Sequence, residues 1–365
     1  CLVGVRARAF RGFTGERLWM EGIDGTAPFV QALRITNNTF GPRHVLQRPY
    51  TVAAPLNVTG QAWLWAVRNQ QVEAYPMRAA SEMFLGGLGQ PAPATEAALP
   101  FAAFETVASP LDPNVRVVHN DSALAWLAAD DDGVPQVVAS LERSVAFRTV
   151  ALRPQAAQVA VRSLDGGVID VFQLAGDALV QTDSSALGDY LDVLGCPDAF
   201  YARRDAGGVR EVHRLRPGHD FDVWGELPRD SVGAWTCDDQ WLWVAQQNGD
   251  AARVEVRAYP LEASTGTAAA TLDVSFPSSR PPERVLLQRS GNALLVFLGG
   301  RGSNGAFVFE VTPAGDTEFV GAELGNAIAA ARGPRILAAP DGALWLSSIQ
   351  ERSGFGRTVV VKQVR

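Results

Sequence analysis

Few residues of this 365-residue chain combine the type and the spacing that chemistry needs. Its four histidines, His44, His119, His213 and His219, are dispersed. Only His213 and His219 are near neighbours, with no Cys or Glu at the spacing of a tetrahedral zinc site. Asp130-Asp131-Asp132 sets carboxylates in a row, whereas a calcium loop alternates its ligands and ends in a distal Glu, so the triplet reads as a solvated turn. Gly300-Arg301-Gly302-Ser303-Asn304-Gly305 matches a dinucleotide fingerprint by letters, but that mechanism requires a helix next. Phe307-Val308-Phe309-Glu310-Val311 follows instead and reads as a strand, which makes the glycine stretch a hairpin loop. No Gly-x-Ser-x-Gly elbow stands between a strand and a helix. The expectation is therefore no catalytic residue, no metal and no cofactor. His119 and His219 are the residues around which a rival lyase-type site would form.

The elements that would position any site are repeated. Gln240-Trp241-Leu242-Trp243-Val244 runs into a polar turn, and then Val254-Glu255-Val256-Arg257-Ala258-Tyr259-Pro260 alternates apolar with charged. β-formers, a turn cluster and period-two alternation spell a hairpin. Gln61-Ala62-Trp63-Leu64-Trp65, then Val72-Glu73-Ala74-Tyr75-Pro76, is the same phrase. Related openings centre near residues 19, 64, 126, 160, 201, 242, 295 and 345, at intervals of 34 to 62 residues. Such a period is that of a four-stranded propeller blade. Most Trp residues lie in these openings and are expected to pack between blades, while Trp224 and Trp235 fall outside the register and are surface candidates.

The fold predicted is all-β: one β-propeller over 1–365, of eight blades, or seven if the Ala160 opening is not a blade. Strand Leu2 to Phe10 would supply the outer strand of the last blade and close the ring with the C-terminal strand Arg357 to Val364. An insertion is expected at about 78–114. Loops this long in a repeat fold are frequently functional, so Phe84, Leu85, Leu88, Phe101 and Phe104 are candidates for a partner contact. Pro340-Asp341-Gly342-Ala343-Leu344-Trp345 resembles the inner-strand phrase of many propellers. Ala258-Tyr259-Pro260-Leu261-Glu262-Ala263-Ser264-Thr265-Gly266-Thr267 resembles the end of a quinoprotein-type blade, although no Trp follows within Ala268 to Leu272. That resemblance implies architecture, not a quinone.

Composition bounds the rest. Hydrophobic residues make up 47% of the chain, enough to fill a large core. Lys and Arg number 32 against 39 Asp and Glu, a net charge of −7 without a basic stripe, which argues against a nucleic-acid partner. Cys196 and Cys237 stand equally far before aromatic anchors, Phe200 and Trp241, and so occupy equivalent places in adjacent repeats. They either bridge, as an oxidising compartment favours, or remain buried thiols. The chain begins at Cys1 followed by Leu2, which resembles a mature bacterial lipoprotein whose N-terminal Cys carries the lipid. The resemblance implies an outer-membrane anchor, facing the periplasm or the cell surface. In outline the chain is similar to the propeller lipoproteins of the β-barrel assembly machinery. The function expected is a non-catalytic scaffold for other envelope proteins, attached to the membrane through lipid on Cys1. The rival is a ligand-binding, carbohydrate-binding or lyase-type propeller working from its central funnel.

Overall fold

The structure, a computed structural model, describes residues 5–14, 17–24, 27–34, 39–40, 44–45, 52–58, 61–68, 70–78, 83–84, 95–103, 105–108, 115–130, 132–185, 187–216, 221–228, 234–247, 253–263, 267–276, 280–300, 303–312, 314–319, 335–338, 344–352 and 356–363. Among these the chain forms eight sheets. Every strand pairing whose register is resolved is antiparallel, and the helical content is one turn, Pro154–Ala156. The third sheet shows the plan: Glu105–Ala108, Val115–His119, Ala123–Ala129 and Pro135–Glu142 lie side by side in chain order. Phe147–Arg153, Gln158–Ser163, Ile169–Ala175 and Ala178–Ser184 build the fourth in the same way. Two compact units result: Ala9–Ala202 with Leu215–Phe221, and Cys1–Arg8 with Arg203–Arg214 and Asp222–Arg365.

Within the first unit, sheets stack face to face because their middle strands are apolar on both sides. Gln158–Ser163 is buried along nearly its whole length, whereas the fourth strand, Ala178–Ser184, is exposed at most positions. Successive side chains of a strand point to opposite faces, so neighbours in sequence enter different cores. Val118, Ala125 and Leu127 of the third sheet pack with Trp63, Trp65 and Val72 of the second. Val117, Leu124 and Trp126 pack instead with Val159, Val161 and Phe172 of the fourth. Ala160, between Val159 and Val161, joins Tyr190, Val193 and Phe200. In the second unit, Trp243, Val254 and Val256 of the sixth sheet pack with Val285, Leu294 and Val296 of the seventh.

Gly133 shows how tightly the second and third sheets meet. It has φ +79°, and a Cβ there would lie 2.2 Å from Trp63 Nε1. Trp65 Nε1 donates to the Gly133 carbonyl at 3.1 Å. Asp130 shapes the turn, its Oδ1 accepting from Val134 N at 2.8 Å and Asp132 N at 3.0 Å.

Several sequence expectations change. The opening at Trp126 falls in the third strand of its sheet, whereas Trp63, Val159 and Trp241 lie in second strands. The second strand of the third sheet is Val115–His119, and this slip explains the short interval before Ala160. Within the span 78–114, where an insertion is expected, the described residues include strands that belong to the second and third sheets. Thr95–Ala98 is the fourth strand of the second sheet, Met83–Phe84 adds a short pairing, and Glu105–Ala108 opens the third sheet. These strands are only two to four residues long, too short for a period-two pattern to mark them. Val5–Thr14 stands in the first sheet beside Arg17–Asp24, and the last sheet has three described strands. A short connection makes the local hairpin its nearest partner. Trp224 is buried, and Trp235 is half-buried beneath Arg203, so neither is a free surface ring.

Candidate functional site

The two histidines with described side chains, His119 and His213, are engaged by neighbouring groups. His213 is 1% exposed, and its Nε2 lies 2.9 Å from Glu211 Oε2. Arg204 Nη1 donates to the same oxygen at 3.3 Å. The hydrogen bond from His213, joined by the charge of Arg204, holds the Glu211 carboxyl below the usual carboxylate range against an opposing effect of burial. His119 ends the strand Val115–His119, and its Nδ1 meets the Asn120 carbonyl at 3.2 Å. Its Nε2 is 3.6 Å from Glu105 Oε2, and the Phe147 ring lies 5.9 Å away. Burial pushes the His119 imidazole down, while Asn120, Glu105 and Asp121 pull the other way. Among the described residues, no three potential metal ligands cluster. His219 lies outside them.

Among the described residues, arginines join several sheets to their neighbours and stack on aromatic rings as they do so. Arg143 pairs with Asp170 of the fourth sheet and lies 5.6 Å from the Phe172 ring centre. Arg153, 6% exposed, donates from Nε to the Cys196 carbonyl at 2.8 Å and from Nη2 to the Pro197 carbonyl at 2.7 Å. It also bonds Gln158 Oε1 and sits over Phe200. In the second unit, Arg289 Nε donates to Asp238 Oδ2 at 2.6 Å, an atom that also accepts from Trp243 Nε1 at 3.2 Å. Asp238 Oδ1 takes the backbone N–H of Gln240 and Trp241. A planar guanidinium with five donors suits carbonyls and ring faces together, which a Lys would not. These groups make joints between sheets.

Cys196 and Cys237 are both disulfide-bonded. Cys1 lies outside the described residues. Of the expected interaction loop, Phe101 is half-buried and packs on the core of Trp63, Leu99 and Ala103, so it is turned inward. Phe84 has a described backbone, paired with Met77, but no described side chain. Leu85, Leu88 and Phe104 lie outside the described residues.

One set of exposed aliphatic side chains was not singled out from the sequence. Val145, Leu164 and Leu187 are 41%, 52% and 43% exposed and sit in three loops at one end of the fourth sheet. Backbone bonds hold those loops together. Leu164 N donates to the Ala146 carbonyl at 2.7 Å, and Asp189 N to the Gly166 carbonyl at 2.7 Å. Ser185 Oγ donates to the Leu187 carbonyl at 2.8 Å. Gly166 and Gly167 take positive φ, as does Asp189 at +62°. The only signal in the sequence was a bulky aliphatic residue placed inside a turn cluster, Leu164-Asp165-Gly166-Gly167.

No protein-family model matches the sequence, and no curated protein matches it. Solved structures do. Chaetomium thermophilum Sqt1, bound to the N-terminus of the ribosomal protein L10, is 13% identical over 99% of this chain and 97% of its own, with a TM-score of 0.60. The WD40 domain of Toxoplasma gondii coronin is 11% identical over 84% of this chain and 87% of its own, with a TM-score of 0.50. At such identities the likeness is one of fold alone. Together with the successive antiparallel sheets, it gives this chain a β-propeller-like fold.

Proposed function

We propose that the chain acts without catalysis, as a rigid propeller that docks other proteins in an oxidising compartment of the cell envelope. The observation that carries this reading is the exposed aliphatic set at the loop end of the fourth sheet, held on a hydrogen-bonded backbone. Loops fixed on a stiff scaffold are where such folds place recognition. The disulfide of Cys196 and Cys237 supports the compartment, because such bonds persist where the surroundings oxidise. On this reading the eight sheets are eight blades of a single domain, in a ring closed near the terminal strands, and a lipid on Cys1 tethers it to the outer membrane. Sqt1 is seen with the N-terminus of another protein bound, a use of the architecture in keeping with docking.

The test is affinity capture of the tagged full-length protein from detergent-solubilised native membranes, with intact mass measured on the bait. A stoichiometric envelope protein in the eluate and an acylated Cys1 are the expected results. An eluate free of partner, with a small molecule retained in the bait's native mass spectrum, would overturn docking in favour of ligand binding. An unmodified N-terminus would remove the tether alone.

A further inference from the structure

We infer that the loop end of the fourth sheet is a docking surface for a basic segment of a partner protein, one that carries aliphatic side chains between lysines or arginines. The inference rests on the docking reading above and adds the site and the chemistry of its occupant. Val145, Leu164 and Leu187 supply the apolar centre. Each stands next to a loop held by bonds of 2.7 to 2.8 Å, so binding orders little further backbone. Exposed carboxylates stand within three residues of each in the chain. Glu142 ends the strand before Val145, Asp165 follows Leu164, and Asp189 follows Leu187 by two residues. None of these carboxylates has an ion-pair partner among the described residues. The one guanidinium within these loops, Arg143, is engaged by buried Asp170. Arg148 is exposed at the start of the adjoining strand, and Arg162, two residues before Leu164, donates to the Tyr190 carbonyl; three carboxylates against these two still leave the rim net negative.

An apolar centre with an acidic rim selects its partner by charge complementarity. Rim charges steer encounter and reject like-charged partners, while the buried centre sets the lifetime of the complex. Anionic lipid headgroups and nucleic-acid phosphates are repelled by the same rim. A segment with alternating Leu and Lys meets both demands: its aliphatic groups cover Leu164 and Leu187, and its ammonium groups reach Asp165 and Asp189.

Fluorescence polarisation on the full chain tests this with a labelled peptide of alternating Leu and Lys. The controls carry Glu in place of Lys, or Ser in place of Leu. Two double variants probe the surface: Leu164→Ser with Leu187→Ser, and Asp165→Asn with Asp189→Asn. Asn is chosen because it tolerates the positive φ at Asp189. The Leu–Lys peptide is expected to bind, with either double variant weakening it roughly tenfold and added salt weakening it further. Thermal melting of the variants should match the parent, which separates lost binding from lost fold. Equal binding of the Glu peptide, or full binding by both double variants, would sink the inference. In the capture experiment, the same envelope protein on the parent and on both variants would remove this surface and leave docking intact. A parent chain that captures nothing would remove both.

Discussion

At the residue scale, burial decides what each polar group does. Arg153 keeps its guanidinium inside the protein because two carbonyls, Gln158 and the Phe200 face use its donors and its charge together. His119 has less compensation: one carbonyl and a carboxylate at 3.6 Å offset its burial only in part, and its proton affinity falls. The folded state thus prefers the neutral imidazole. Because the folded pKa lies below the unfolded one, this contribution to stability is complete above the ordinary value of 6.5 and is lost as pH falls below it. Urea midpoints measured at neutral pH and below 6 should show that loss, and His119→Gln should reduce it. A midpoint difference unchanged by the substitution would place the acid sensitivity elsewhere. Glu211 adds a separate decline at lower pH, since its carboxyl is held down in the fold and must be protonated there.

At the element scale, the joints between sheets set the tolerance of turns. Gly133 carries both a positive φ and a contact with Trp63 that leaves no room for a Cβ. Gly133→Ala therefore combines backbone strain with overpacking against a rigid ring, a cost of about 2–4 kcal/mol. Gly176→Ala makes the control, because its φ is +65° while nothing lies within 4 Å of the added Cβ. It should cost about 1–2 kcal/mol, the backbone part alone. Equal losses at both positions in thermal melts would show that the Trp63 contact contributes nothing. The short strand Thr95–Ala98 makes a related point: it pairs with Gln71 to Ala74 through backbone bonds, and its alternate side chains are exposed. Its place in the sheet is owed to the ladder and to Leu99 anchoring beside it, more than to its own side chains.

At the scale of the whole molecule, the bridge we propose between Cys196 and Cys237 would constrain the unfolded chain across about forty residues. Removing it by Cys196→Ser with Cys237→Ser should lower stability by about 3–4 kcal/mol by the loop-entropy estimate. The parent should melt lower in excess reductant, and the double serine variant should not respond to it. A parent indifferent to reductant would detach the disulfide from stability and weaken the case for an oxidising compartment. Sheets that pack mainly on their neighbours make stability a sum of joints, so the loss should add to that of Gly133→Ala.

The sequence by itself determined the class of the fold and its unit. Trp63, Trp241 and their repeated hairpin phrases announce successive antiparallel sheets, because period-two patterning and turn glycines are local properties of the chain. It also marked Cys196 and Cys237 as equivalent positions, and it read the Gly300 to Gly305 stretch as part of a hairpin, where Gly300 pairs with Ser303. What it left open depended on partners distant in sequence. The register of Trp126 was misread because an apolar strand buried on both faces looks alike in second and third position. Phe101 read as a loop residue until Leu99 and Trp63 were seen around it, and Trp224 read as surface until its Nε1 was found donating to the Ala263 carbonyl. Leu164 shows the converse: its type suits a core, and only the tertiary structure, by placing it in a loop at 52% exposure, turns it toward solvent.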